Sequence, residues 1–88
     1  MRIARRNNVH VAGSGPATLV FAHGFGCDQN MWRKLAPAYA ARYRTVLFDL
    51  VGSGQSDTSA YDPAKYDTLN GYARDVVEIV EEFAQGPV

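Results

Sequence analysis

A bulky residue between two glycines follows a purely apolar run of the sequence, and this arrangement suits acyl-transfer chemistry. The run covers residues 19–22, and the segment after it reads His23-Gly24-Phe25-Gly26. In acyl transfer, negative charge develops on a carbonyl oxygen, and fixed backbone N–H groups aimed at that oxygen stabilise it. We predict that the Phe25 N–H is such an oxyanion donor, with Gly24 and Gly26 providing the bend. A plain strand-to-helix turn is the competing interpretation, because a short glycine motif alone has low specificity.

A second glycine-rich loop follows the next apolar run and is typical of loop architecture. It begins at Asp49 and continues through Gly52 and Gly54 to Ser56. An aspartate at the end of a strand accepts backbone N–H groups of the turn that follows, and glycines permit that turn. We therefore interpret this segment as structural, with no group placed for proton transfer.

Motifs for a nucleophile or a cofactor are missing from the sequence. Gln29 and Asp57 stand where a dinucleotide-binding loop needs its third glycine, and neither loop carries the lysine of a P-loop. No serine lies in a Gly-x-Ser-x-Gly nucleophile elbow. A Cys27–His23 nucleophile pair is disfavoured because no third residue orients the histidine, so we interpret His23 as packing against or hydrogen-bonding its own loop. His10 and His23 show no metal-ligand spacing, and neither a metal nor a cofactor is predicted.

Composition excludes several other classes of protein. The 88 residues carry nine basic and nine acidic side chains, and 47% of them are hydrophobic. This balance disfavours nucleic-acid binding, which usually shows a clustered basic surplus. One cysteine rules out an internal disulfide, and no apolar stretch reaches the length of a signal peptide or a membrane span. We expect a soluble, cytoplasmic protein with no nucleic-acid or membrane partner.

Apolar periodicity predicts alternating strands and helices around the two loops. The predicted strands are 3–11, 18–22 and 45–48, and the predicted helical segments are 28–36, 37–41 and a longer helix after residue 68. Thr68 is the predicted N-cap of the long helix, and Gly86 with Pro87 is its predicted stop signal. Six residues at three- and four-residue steps form its predicted apolar stripe: Leu69, Tyr72, Ala73, Val76, Val80 and Phe83.

This order of elements predicts an α/β fold with a mostly parallel sheet and crossover helices. Strongly apolar strands need cover on both faces and partners at their edges, and three strands do not supply all of these. We therefore expect residues 1–88 to be an incomplete part of a single domain.

The two glycine loops, taken in order, resemble those of the α/β-hydrolase family. His23-Gly24-Phe25-Gly26 resembles the family's oxyanion loop, and Asp49-x-x-Gly52-x-Gly54-x-Ser56 resembles the loop after its next strand. Three segments are similar to the branch that includes the bacterial stress regulator RsbQ and the plant karrikin and strigolactone receptors: NNVHV at 7–11, FGCDQ at 25–29 and VGSGQSD at 51–57. The resemblance implies a partial α/β-hydrolase fold, covering about the N-terminal third of such a protein.

The resemblance also implies a site and a role. It assigns the Phe25 amide as one of two oxyanion donors and places the Phe25 ring beside a small apolar pocket. The family's nucleophilic serine, acid and general-base histidine come later in the chain and have no matching position here. The implied parent protein is a serine-type hydrolase or a stress-signalling sensor of a small hydrophobic ester or lactone, with a regulatory phosphatase as a possible partner, whereas this chain alone is expected to be inert.

Two alternatives stay open at this point. The chain could be a non-catalytic interaction module or truncated product that binds another chain through an exposed strand edge. It could also be a free-standing small α/β domain with a function of its own.

Overall fold

The computed structural model describes all 88 residues, Met1–Val88, and contains three strands, four α-helices and two short 3-10 helices. In chain order the main elements are α1 (Ile3–Arg6), β1 (His10–Ala12), β2 (Thr18–Phe21), α2 (Ala36–Tyr39), β3 (Arg44–Leu47), α3 (Pro63–Tyr66) and α4 (Leu69–Phe83). The 3-10 helices cover Gln29–Trp32 and Thr58–Ala60. The longest helix has 15 residues, and none combines the length and the hydropathy that crossing a membrane requires.

The three strands form one sheet with β3 in the centre. β2 runs parallel to β3, with Phe21 opposite Leu47, and β1 runs antiparallel to β3, with His10 opposite the same residue. The connection from β2 to β3 carries a 3-10 helix and α2, as a parallel crossover requires. The predicted α/β class is confirmed, and one of the two strand pairings is antiparallel. Because β2 and β3 are parallel, the two glycine-rich loops leave the same edge of the sheet.

The core lies between the sheet and α4. Val46 and Phe48 from the β3 segment and Ile79 from α4 are fully buried against one another. Burying each such side chain stabilises the fold by about 1.5–3 kcal/mol. Side chains alternate along a strand, so Leu47 faces the other side of the sheet, where it lines a depression together with Ala36 of α2. The sheet therefore has helical cover on both faces.

The strand predicted over residues 3–11 is wrong in its first half. Residues 3–6 form α1, and only residues 10–12 are a strand. Asn7 is fully buried and pairs with the end of β3: its backbone O accepts from Asp49 N at 2.8 Å, and its Nδ2 donates to Asp49 O at 2.9 Å. Asn8 then adopts a φ of 46°, in the left-handed region that breaks a strand. These contacts with a distant segment outweigh the local alternation.

The helix predicted over 28–36 is shorter than expected. It is a 3-10 helix over Gln29–Trp32, and the Asp28 carboxylate caps it by accepting from Asn30 N at 2.8 Å. The ring of Trp32 packs against Phe21 of β2, with 5.3 Å between ring centroids. The following helical piece is observed as α2, over Ala36–Tyr39.

The long helix α4 is confirmed, but its predicted apolar stripe is not buried at the N-terminal end of the helix. Thr68 caps the helix as predicted, with its hydroxyl accepting from Asn70 N at 3.3 Å. Leu69 is 81% exposed and Ala73 is also exposed. The buried row instead consists of three residues at four-residue spacing: Gly71, Asp75 and Ile79. The helix ends at Phe83, three residues before Gly86.

Asp75 is the centre of a buried ionic cluster that joins three helices. Its carboxylate accepts from Lys65 Nζ at 2.7 Å and from Tyr66 Oη at 2.6 Å, and it lies 3.2 Å from Arg6 Nη2. Gly71 brings α4 close to α3, because a Cβ at this position would lie 1.9 Å from the Lys65 carbonyl oxygen. A buried carboxylate is tolerated in an apolar helix face only when its partners satisfy it in this way.

The cluster affects the ionisation of its basic and phenolic members. Burial on its own would lower the pKa of Lys65, but the hydrogen bond and charge of Asp75 outweigh it and raise that pKa above its ordinary value of 10.5. Burial, followed by the Asp75 hydrogen bond, raises the pKa of Tyr66 above 10.0. Raised pKa values in the folded state mean that the stabilising forms are fully present below about pH 10 and are lost as pH rises through the folded values.

Replacing the central carboxylate tests the cluster. We expect Asp75→Ala to lower the free energy of unfolding by about 3–5 kcal/mol, because it removes the buried acceptor of Lys65 and Tyr66 and leaves Arg6 with Glu78 as its only counter-charge. The loss of stability as the pH rises above about 10 should also become shallower, because the pKa values of Lys65 and Tyr66 would no longer be raised by Asp75. Urea titrations followed by circular dichroism, at neutral and alkaline pH, measure both effects.

Glu81→Ala is the matched control, since Glu81 is an exposed acid on the same helix. It should change the free energy of unfolding by no more than about 0.5 kcal/mol. Equal effects of the two substitutions would contradict a special role for Asp75.

Candidate functional site

His23 connects the two glycine-rich loops at the exit of β2. Its side chain is buried, its Nε2 accepts from Leu50 N–H at 2.9 Å, and its Nδ1 donates to Gly24 O at 2.8 Å. These partners require the neutral tautomer with the proton on Nδ1. Both ring nitrogens are therefore engaged with the backbone, which leaves neither free to act as a base for Cys27. Cys27 itself is exposed.

Phe25 lies at the tip of the loop with a free backbone amide. Its N–H donates to no acceptor within the chain, and the residue as a whole is 97% exposed. The loop turns through a hydrogen bond from Cys27 N to Gly24 O at 3.2 Å. Gly26 has a φ of 80° and so needs to be glycine, as predicted, but Gly24 lies outside the left-handed region and a Cβ there would meet no atom within 4 Å. The bend therefore requires a glycine at position 26 and not at position 24.

The Asp49 carboxylate connects three segments beneath the loops. It is 1% exposed, and its oxygens accept from Gln29 N at 2.8 Å, Asn8 Nδ2 at 2.9 Å and Gln55 N at 3.0 Å. Burial on its own would raise the pKa of Asp49, but these hydrogen bonds outweigh it and place the pKa below 3.8. Asp49 is thus an ionised structural acceptor at neutral pH, in agreement with its interpretation from the sequence.

Gly54 makes room for this carboxylate. Its φ is 54°, and a Cβ at this position would lie 2.5 Å from Asp49 Oδ2. The same loop is closed by a hydrogen bond from Gly52 N to Ser56 Oγ at 3.0 Å. The hydroxyl of Ser56 is therefore an acceptor within its own loop.

An apolar cavity of about 410 Å³ opens beside Phe25. Its lining contains no charged side chain and consists of His23, Phe25, Leu50, Val51, Gly52, Ser53, Tyr61, Leu69 and Tyr72. Tyr66 supports the wall from behind, because its ring packs against Tyr61 and Tyr72 with centroid distances of 5.8 and 4.8 Å. The Asp75 cluster holds Tyr66 in turn through the phenolic hydroxyl. Phe25 thus borders the cavity and carries a free backbone amide.

A second depression of about 500 Å³ lies on the other side of the loop. It is shallow and mostly polar, and is lined by Gly26, Cys27, Asp28, Asn30, Met31, Arg33, Gly52, Ser53 and Gly54. No group of three or more His, Cys, Asp or Glu side chains in the 88 residues is arranged to hold a metal ion. The apolar cavity is therefore the better candidate for binding a small molecule.

Sequence reasoning named Phe25, His23 and the glycines but missed most of the cavity wall. Tyr61 and Tyr72 lie 36 and 47 positions after Phe25, and no linear motif connects them to it. Asn8 and Gln29 lie in segments that resemble the family, but nothing in those segments indicated that they bind the Asp49 carboxylate. Only the tyrosines that recur in the mostly polar segment after Ser56, at positions 61, 66 and 72, could have indicated a wall.

Comparison with known proteins gives a consistent set of matches. A family profile described as "Alpha/beta hydrolase family" matches residues 19–88. The karrikin insensitive 2 receptor CA of Petunia hybrida is 44% identical over 84 residues, which cover 96% of this chain and 31% of the receptor. The strigolactone esterase RMS3 of Pisum sativum is 42% identical over 74 residues, which cover 84% of this chain and 28% of the esterase.

Solved structures agree with the sequence matches. A hydrolase from Oleispira antarctica superimposes with a TM-score of 0.85 at 47% sequence identity, covering 90% of this chain and 29% of the hydrolase. A Burkholderia ambifaria protein with an alpha/beta hydrolase fold superimposes with a TM-score of 0.71 at 31% identity. The chain thus spans between about a quarter and a third of the length of these four proteins.

Gly54, which lies against the Asp49 carboxylate, and Gly24, which has open space around it, allow a matched test of that close contact. We expect Gly54→Ala to lower the free energy of unfolding by about 1–3 kcal/mol, because the new Cβ collides with the Asp49 carboxylate and the left-handed backbone becomes strained. Gly24→Ala, with open space and no left-handed φ, should leave stability unchanged or raise it by up to about 1 kcal/mol. Urea unfolding of both variants measures the difference, and equal losses would contradict the close contact at Gly54.

Proposed function

This chain belongs to the alpha/beta hydrolase family, and we propose that it contributes one oxyanion donor and one pocket wall to a site for small hydrophobic esters or lactones. The observation that carries the proposal is the Phe25 N–H, which has no hydrogen-bond partner in the chain and belongs to a residue that lines the apolar cavity. An amide without an internal partner is available to a ligand oxygen. The resemblance of the loop to the family's oxyanion loop supports the same role.

The lining of the cavity supports an uncharged and compact ligand. Apolar side chains dominate it, no charged side chain lines it, and its volume of about 410 Å³ suits a small molecule. The phenolic groups of Tyr61 and Tyr72 and the free amide of Phe25 provide the few polar contacts that would orient a carbonyl-containing ligand. Relatives named for karrikin and strigolactone fit the proposal of such a ligand class.

Hydrolysis and ligand sensing both fit this site, because the two share a pocket and an oxyanion donor. The names of the relatives include receptors as well as esterases. Turnover needs a nucleophile, and these 88 residues contain no Gly-x-Ser-x-Gly segment. We therefore propose that the chain on its own is catalytically inert, and that any activity belongs to a protein that also supplies the nucleophile and base.

Three more specific expectations rest on the sequence alone and remain predictions. They are a stress-signalling role of the RsbQ type, a regulatory phosphatase as partner and a cytoplasmic location. None of the relatives described above carries a phosphatase or a stress regulator in its name.

The proposed lack of catalytic activity is tested directly with the 88-residue chain. We expect no turnover of p-nitrophenyl acetate above the rate given by an equal concentration of denatured chain, since an oxyanion donor without a nucleophile has no attacking group to assist. Release of p-nitrophenol is followed by absorbance. Turnover that a serine-directed fluorophosphonate abolishes would contradict this proposal.

The oxyanion role is tested in a chimera in which this chain replaces the matching segment of the pea strigolactone esterase. Phe25→Pro removes the backbone N–H, whereas Phe25→Ala removes the ring and keeps the N–H. We expect Phe25→Pro to lower kcat by about 10²–10³-fold, the usual effect of losing one oxyanion donor. Phe25→Ala should mainly raise KM.

Steady-state kinetics on a fluorogenic lactone or ester separate kcat from KM for the two variants. An unchanged kcat in the Phe25→Pro chimera would contradict the donor role. Equal losses of kcat in both variants would show that the ring is responsible and not the amide.

A further inference from the structure

We propose that the dipeptide Asp49-Leu50, at the end of β3, positions the Phe25 amide by fixing both ends of the loop that carries it. This inference rests on the proposed function of Phe25 as an oxyanion donor and adds the residues that orient that donor. Asp49 and Leu50 touch neither Phe25 nor its N–H by hydrogen bonds. They act through the residues at the two ends of the loop.

The two ends of the loop are hydrogen-bonded to Leu50 and Asp49, which are adjacent residues just after β3. At the start, the Leu50 N–H donates to Nε2 of His23 at 2.9 Å. At the end, the Gln29 N–H donates to Oδ1 of Asp49 at 2.8 Å. His23 and Gln29 are both buried, so water does not compete strongly for these bonds. The segment between them is thereby closed at its base, with Phe25 near its middle.

Little else within the loop could orient Phe25. Its ring is almost fully exposed, so packing does not hold it. The only backbone hydrogen bond between residues 23–28 is the turn from Cys27 N to Gly24 O. A loop with an exposed tip and one internal bond is expected to move unless its ends are fixed. The orientation of the Phe25 amide therefore depends on the two anchors.

The carboxylate of Asp49 is itself held in one orientation. Its Oδ2 accepts from Asn8 Nδ2 and from Gln55 N, which leaves Oδ1 facing Gln29 N. An asparagine at this position would have to turn its NH₂ group toward one of these donors and would lose at least one bond. An ionised carboxylate suits the position because it accepts on both oxygens.

Proline at position 29 removes the second anchor, together with the hydrogen bonds of the Gln29 side chain to His10 and to the Asn8 carbonyl. Gln29 is the first residue of a 3-10 helix, and the preceding Asp28 has an extended backbone with φ −150° and ψ −174°, which a following proline favours. Gln29→Pro therefore deletes the N–H that binds Asp49. Gln29→Ala is the matched control, because it loses the same side chain but keeps the N–H.

The readout is the backbone ¹⁵N order parameter of Phe25 in the labelled 88-residue chain. We expect about 0.85 in the parent chain and in Gln29→Ala, and a value below about 0.6 in Gln29→Pro. Asp49→Asn, as an independent second variant, should lower the order parameter of Phe25 in the same direction. The amide of Ile79 in the core should keep its order parameter in every variant.

Three results would overturn the proposal. They are a mobile Phe25 amide in the parent chain, a Phe25 order parameter that stays high in both Gln29→Pro and Asp49→Asn, or a loss of order that spreads equally to Ile79. The last result would show that Asp49 stabilises the whole domain and has no specific effect on the loop. The oxyanion role fails separately, by an unchanged kcat in the Phe25→Pro chimera while Phe25 remains ordered in the parent chain.

Discussion

The buried carboxylate of Asp49 is the interaction on which the arrangement of the loops depends. Transferring an ionised carboxylate from water into a protein interior is costly unless hydrogen bonds replace its hydration. Three N–H donors do so here, and they come from Asn8, Gln29 and Gln55, which belong to different segments of the chain. The need to satisfy one charge thus brings the N-terminal segment and both glycine-rich loops to one point. A neutral apolar residue at position 49 could fill the space, but it could not accept these three hydrogen bonds and so would not hold the segments together.

The second buried acid shapes the apolar cavity without facing it. Asp75 binds the hydroxyl of Tyr66, and the ring of Tyr66 supports Tyr61 and Tyr72, which line the cavity. The hydrogen-bonded cluster around Asp75 therefore helps to fix the shape of the apolar cavity wall. Tyrosine suits this position because its ring packs like a hydrophobic residue while its hydroxyl still finds a partner.

Local signals in the sequence were enough to predict the parallel strands, the long helix and the loop that carries Phe25. The strands at 18–21 and 44–47 follow from short apolar runs, and the start of α4 follows from the cap at Thr68. Each of these signals involves residues only a few positions apart. The positive φ of Gly26 is likewise a local requirement, of the kind that a glycine in a turn indicates.

The remaining features could not be predicted because they depend on partners far along the chain. Helix α1 replaces a predicted strand where Asn7 meets Asp49, 42 positions away. The buried row of α4 includes Asp75, whose partners lie on α1 and α3, and the apolar periodicity of the helix alone could not reveal it. The cavity wall that includes Tyr61 and Tyr72 likewise depends on how α3 and α4 pack together. Two other long-range contacts have a consequence for biosynthesis. Arg6 pairs with Glu78, 72 positions later, and the hydroxyl of Thr18 donates to the carbonyl of Gln85, 67 positions later. During translation the N-terminal segment leaves the ribosome first, so α1 and β2 lack these partners until residues 78–85 have been translated. Chaperone binding to the nascent polypeptide would be most useful during that interval.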